Sequence, residues 1–195
     1  MNLSHINLLE LDNPRLENTS FSKALASLPF NAGFILKRIG SKDNNTLKEI
    51  LSNLKNTIKL FETNDEVHDL IYEVLIHENI RNKWTYNDGE FFTSISEKYN
   101  SKEKFQKIGL FEIDNEEFKN RLLLMLSFGS CYGSLNNSEY ENKTFCEEFF
   151  KETVEDGDKI IVSNQPWGQY YIGFFVCLFI LKKEEIIIIA YDDYD

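Results

Sequence analysis

Residue types that carry much of protein chemistry are scarce in this chain. Its 195 residues include three cysteines and three histidines. Cys131, Cys146 and Cys177 are odd in number and far apart. That excludes a disulfide framework and leads us to expect reduced thiols in a cytoplasmic setting. His5, His68 and His77 form no Cys/His pair at zinc-ligand spacing. His68 and His77 share one expected helix, but their separation does not set them on adjacent turns. No metal site and no cofactor are therefore expected.

Phosphate-binding glycine patterns are missing too: neither GxGxxG nor a Walker sequence occurs. The acidic clusters lack the alternating ligands and closing Glu of a calcium loop. Long apolar runs are also lacking. The longest, Tyr170 to Leu181, falls well short of the ~20 residues a membrane helix needs. Glu10 and Asp12 break the short apolar stretch near the N-terminus, and no basic segment precedes it, so no secretory signal is expected.

Positive charge is the other shortage. The chain has 21 Lys and Arg against 32 Asp and Glu, a formal net charge of −11. A field of that sign repels phosphate backbones and anionic lipid surfaces. Lys37-Arg38 and Lys182-Lys183 are isolated pairs. We expect neither direct nucleic-acid binding nor membrane binding, and a basic protein as the natural partner.

What is present is apolar and aromatic. Hydrophobic residues make up 42% of the chain, with 16 Phe and nine Tyr, enough for one substantial core. Residues 1–40 are the least readable. Thr19-Ser20 reads as the cap of a short helix carrying Phe21, Leu25 and Leu28 and stopped by Pro29. Asn31-Ala32-Gly33 reads as a turn, and Phe34-Ile35-Leu36 as a short strand or a helix start.

From Thr46 the helical pattern is clear. Thr46 to Glu49 has capping-box form, and Leu47, Ile50, Leu51, Leu54, Ile58 and Phe61 recur at three and four. Asn64 or Asp65 opens a second helix with Val67, Leu70, Ile71, Val74 and Leu75. Asn87-Asp88-Gly89-Glu90 reads as the start of a third, presenting Phe91, Phe92, Ile95 and Tyr99. Asp114 to Glu117 caps another, with Phe118, Leu122, Met125 and Leu126. Thr144 to Glu147 reads as one more cap, before Phe149 and Phe150.

At Glu155-Asp156-Gly157-Asp158 the period changes to that of strands. Lys159–Ser163, Tyr170–Leu181 and Ile186–Tyr191, separated by polar turns, read as an antiparallel meander. Apolar residues on both parities of the last two strands require cover on both sheet faces. The helices supply one cover, and an N-terminal segment or a partner chain supplies the other.

The expected fold is α+β. It is a single domain over 1–195, with a layer of five to six helices at about 46–153 packed on a small antiparallel C-terminal β-meander at about 159–191. Its expected core includes Leu51, Leu54, Leu70, Val74, Leu122, Phe175 and Ile188.

One motif invites a catalytic reading. Gly129-Ser130-Cys131-Tyr132-Gly133 has the form of a nucleophile elbow with Cys in place of Ser. Loop-forming Leu135 to Ser138 follows it where a helix is needed, and no histidine lies beyond His77. A small hydrolase or transferase built on Cys131 is thus the rival reading, and no catalytic residue is expected. The leading expectation is a non-catalytic protein that masks a basic partner, in concrete form an immunity protein against a bacterial toxin. A phage-type acidic inhibitor of a defence nuclease is the variant of that idea. Asp192, Asp193 and Asp195 at a strand end, with Trp167 at a turn, are the expected partner-binding residues.

Overall fold

The computed structural model describes residues 6–27, 32–42, 44–55, 65–77, 82–86, 89–93, 95–127, 137–163, 165–167 and 174–193. At 44–45, 55, 82–86 and 89–93 only the backbone is described. In chain order the elements are β1 (Leu8–Leu11), α1 (Pro14–Glu17), α2 (Ser20–Ala26), β2 (Ala32–Ser41), α3 (Asn44–Lys55) and α4 (Asp65–Ile76). There follow β3 (Asn82–Tyr86), β4 (Gly89–Thr93), α5 (Lys102–Phe105), β5 (Leu110–Ile113), α6 (Asn115–Ser127) and α7 (Glu139–Thr153). The chain ends on β6 (Lys159–Ser163), β7 (Phe174–Leu181) and β8 (Ile186–Asp193).

The expected meander β6-β7-β8 is present and forms the middle of a larger sheet. Among the described residues eight strands, all antiparallel, form one sheet in the order β4-β3-β2-β8-β7-β6-β5, with β1 paired to β2. β8 is flanked along its length by β2 and β7. That position explains why Ile186 to Tyr191 is continuously apolar. Alternate residues of a strand face opposite sides, and here both sides are packed.

On one face Ile186, Ile188 and Ala190 join Cys177 and Phe179 beneath Leu47, Leu51 and Leu54 of α3 and Val67, Leu70 and Val74 of α4. On the other, Ile187, Ile189 and Tyr191 join Val176 and Leu178 beneath Phe21 of α2, Phe118 and Leu122 of α6 and Phe149 of α7. Both covers are therefore helices of this chain, and the N-terminal segment contributes to the second through α1 and α2. Of the expected core residues, Leu51, Leu54, Leu70, Val74, Leu122 and Ile188 are buried. Phe175 is half-buried and packs at the margin of the first layer.

Several local readings change. Residues 89–93 are a strand rather than the start of a helix, paired in a hairpin from Asn82↔Thr93 to Tyr86↔Gly89. Asp-Gly between two aromatic runs is a hairpin signal, and aromatic side chains favour strands. Ala32 and Gly33 are not a turn. They belong to β2 and pair with Asp193 and Asp192. Thr144 is no cap, since its hydroxyl donates to the Tyr140 carbonyl inside α7. The helix starts earlier, where Ser138 accepts from the Glu141 backbone N–H and Glu141 accepts from the Ser138 N–H in a full capping box. Thr46 lies inside α3, which begins at Asn44. Leu28, Pro29, Asn31, Ile58 and Phe61 lie outside the described residues.

Two caps were legible. The Thr19 side chain accepts from the Ser22 N–H at 3.1 Å, and the Asp114 carboxylate from the Glu117 N–H at 2.8 Å. The turn before β6 depends on one residue. Gly157 has φ +84°, and a Cβ there would meet nothing within 4 Å. Gly157→Ala should therefore cost about 1–2 kcal/mol through backbone strain alone. Urea unfolding measures it, and Gly157→Asn should lose less, because Asn tolerates the left-handed region.

Candidate functional site

Each residue singled out for partner binding has a definite place. Trp167 is fully buried. Its ring meets Phe175 edge-on at 5.8 Å and 88°, and its carbonyl accepts from the Ser96 N–H at 2.9 Å. It anchors the β6–β7 connection in the first core layer and presents no surface. Asp192 and Asp193 are 5% and 4% exposed. They extend β8 between β2 and β7, with Asp192 opposite Gly33 and Phe175, and Asp193 opposite Ala32 and Phe174. As consecutive strand residues they face opposite sides of the sheet, and the Tyr191 hydroxyl donates to Asp193 at 3.3 Å. They therefore do not form one acidic surface cluster. Asp195 lies outside the described residues.

The thiol reading is partly located. Cys131 lies outside the described residues. Cys146 and Cys177 are free and buried. Burial pushes the Cys146 thiol up to about 12. It pushes Cys177 up as well, with the Trp167 indole N–H acting the other way. Thiols held protonated are poor nucleophiles at neutral pH. In the folded protein iodoacetamide at pH 7.5 should leave both unmodified, and both should react once the chain is unfolded. Mass spectrometry of the digested product reads this directly.

His68 is buried, with Nε2 2.8 Å from the Ile108 carbonyl. That carbonyl can only accept, so Nε2 carries the proton. On the same helix, Glu73 lies 2.8 Å and Asp69 3.9 Å from Lys102, which straps α5 to α4. The hydrogen bond to Glu73 raises the Lys102 pKa, and burial raises that of Tyr72 beside it. The Tyr72 hydroxyl donates to the Asn100 carbonyl at 2.9 Å. These groups are committed to holding elements together. Among the described residues no group of three His, Cys, Asp or Glu side chains could hold a metal ion, and no helix is long and apolar enough to cross a membrane.

Among the described residues, one run of exposed acidic side chains lies along α7. This 15-residue helix buries Asn142, Cys146, Phe149 and Thr153 and exposes Glu139, Glu141, Glu147, Glu148 and Glu152 against Lys143 and Lys151. Tyr140, on the same face, is 80% exposed. Part of the acidity is engaged: Glu139 pairs with Lys143 at 2.7 Å, Glu147 with Lys119 at 3.0 Å, and Glu148 accepts from Ser20 at 3.1 Å. The capping-type run Thr144 to Glu147 points to a later helix start than the one found, so Glu139 to Lys143 carry no helical expectation. The Ser138-to-Glu141 box was the signal that would have found it. In comparisons with known proteins, no family model, curated protein or solved structure matches the chain.

Proposed function

We propose that this chain is a non-catalytic binding protein that masks a basic protein partner, in its most concrete form a cytoplasmic immunity protein against a bacterial toxin. The observation that carries the reading is α7, which exposes five glutamates along its length together with the Tyr140 ring, on a chain of net charge −11. Tyrosine is a frequent anchor of interface energy. A surrounding field of one sign speeds encounter with a partner of the other and disfavours wrong partners. The raised thiols of Cys146 and Cys177 weigh against thiol chemistry at either residue.

A photo-crosslinking amino acid placed at Tyr140 tests it in the source cell. The expected product is one discrete adduct with a protein of positive net charge. The same probe at Lys98, an exposed position in the turn before α5, should give none. Equal adducts at both positions, or a discrete adduct with an acidic protein, would sink the proposal.

A further inference from the structure

β5 ends the strand order, and among the described residues β6 is its one strand neighbour. Its four residues, Leu110-Phe111-Glu112-Ile113, are apolar save one. They pair with the buried apolar run Ile160 to Val162 and with Ser163. Phe111 and Ile113 are half-buried at this margin. A short apolar strand at the end of a sheet is a template on which another strand can pair.

Glu112 is the exception, and it points inward. By strand alternation it shares a face with Leu110, which is 1% exposed and belongs to the layer beneath α3 and α4. The Glu112 side chain is itself 8% exposed. Lys159 of β6, 29% exposed, meets its Oε1 at 2.6 Å. Glu112 Oε2 is buried and has no hydrogen-bond partner among the described residues. A withdrawn ion pair with an unmet oxygen stabilises a fold no better than two apolar side chains of similar volume, because desolvation offsets the Coulomb attraction. Stability alone therefore does not account for a charge here.

We propose that the Glu112–Lys159 pair guards the β5 edge against strand addition by a second copy of this chain. The inference is independent of the binding function proposed above. In a two-fold antiparallel pairing that keeps like faces together, two registers overlap most of β5. One sets Glu112 opposite Glu112 of the second copy, and the other sets it opposite that copy's Leu110. Like charges directly opposite destabilise a strand pair. In the other register a carboxylate meets an apolar side chain, and in both the added strand withdraws water from the Lys159 ammonium.

Glu112→Leu/Lys159→Leu in the full chain tests the guard, by sedimentation velocity and amide hydrogen exchange across a concentration series. The variant should keep or raise its urea midpoint. Its mean mass should climb towards that of a dimer with concentration, above that of the unaltered chain, and residues 110–113 should gain protection as it does so. Lys48→Leu/Glu184→Leu is the control, because it removes an exposed pair that joins α3 to the β7–β8 turn and adds the same apolar side chains. Its mass should follow the unaltered chain. Should the edge variant not fold, Glu112→Gln/Lys159→Gln keeps both shapes and carries the same expectation of mass and protection. A mass that does not rise, an equal rise in the control, or association without protection at 110–113 would each overturn the proposal. A lower urea midpoint in the folded leucine variant would also overturn it and make the pair an ordinary structural contact.

Discussion

Phe179→Ala should destabilise the protein by about 3–5 kcal/mol, the range for removing a buried aromatic ring and leaving its cavity. Phe179 is fully buried in β7, between β6 and β8, under the layer that holds α3 and α4. A domain of this kind is held by ~5–15 kcal/mol in all, so the variant should unfold at a much lower urea concentration. Some of its population could already be open at 37 °C. Tyr140→Ala provides the contrast. With that ring 80% exposed, the change should stay within about 0.5 kcal/mol. The pair of variants separates residues that hold the fold from those free to bind.

The second large effect is electrostatic. Lys182→Met should cost about 2–3 kcal/mol, somewhat below the ~3–5 typical of breaking a fully buried ion pair. Lys182 is 12% exposed and its partner Asp158 5%. The ammonium also caps α7 through the Thr153 carbonyl, so its loss frees a helix end as well as a carboxylate. Asp158 still accepts from the Glu155 N–H at 3.0 Å. Lys182→Met/Asp158→Leu should recover part of the loss, because the double change removes the uncompensated charge. A double-mutant cycle in urea measures the coupling. If the double variant were no more stable than Lys182→Met alone, the lysine would act through packing and the cap rather than through the carboxylate.

How much was legible follows from which signals are local. β7 and β8 could be read because burial on both faces leaves an unbroken apolar run, and Gly157 marked the turn that precedes the meander. α4 and α6 could be read from three-and-four spacing, backed at α6 by the Asp114 cap. β2 was obscure because Lys37-Arg38 interrupts it. Lys37 is nonetheless buried, and its ammonium is met by Glu10 at 2.9 Å across the β1–β2 pair. Arg38 is met by Glu185 from the β7–β8 turn. Those partners lie 27 and 147 residues away along the chain, a distance no periodicity reveals.

The same limit hides where Asp192, Asp193 and Trp167 lie. Asp192 and Asp193 look like a strand running out into solvent. They are buried because β2, formed 160 residues earlier, pairs with β8 through Ala32 and Gly33. Trp167 reads as an interface anchor because a turn is a surface feature, yet its ring is buried edge-on against Phe175. The hairpin β3–β4 was misread for a different reason. Asn87-Asp88-Gly89-Glu90 carries both a helix-start and a hairpin signature, and the aromatic residues on either side decide for the hairpin.

Recognition by this chain, as proposed, depends on the acidic side chains of α7 meeting a basic partner. The most direct test is the association rate of the chain with the protein captured at Tyr140, followed against ionic strength. The triple variant Glu139→Gln/Glu147→Gln/Glu148→Gln serves as the comparison. The unaltered chain should associate fast at low salt and slow steeply as salt rises, since a Debye length falls from about 30 Å at 0.01 M to about 10 Å at 0.1 M. The variant should start roughly tenfold slower and show a shallower slope, with the two curves meeting at high salt. Curves that coincide at every ionic strength would contradict the account and leave the charge of α7 without a role in recognition.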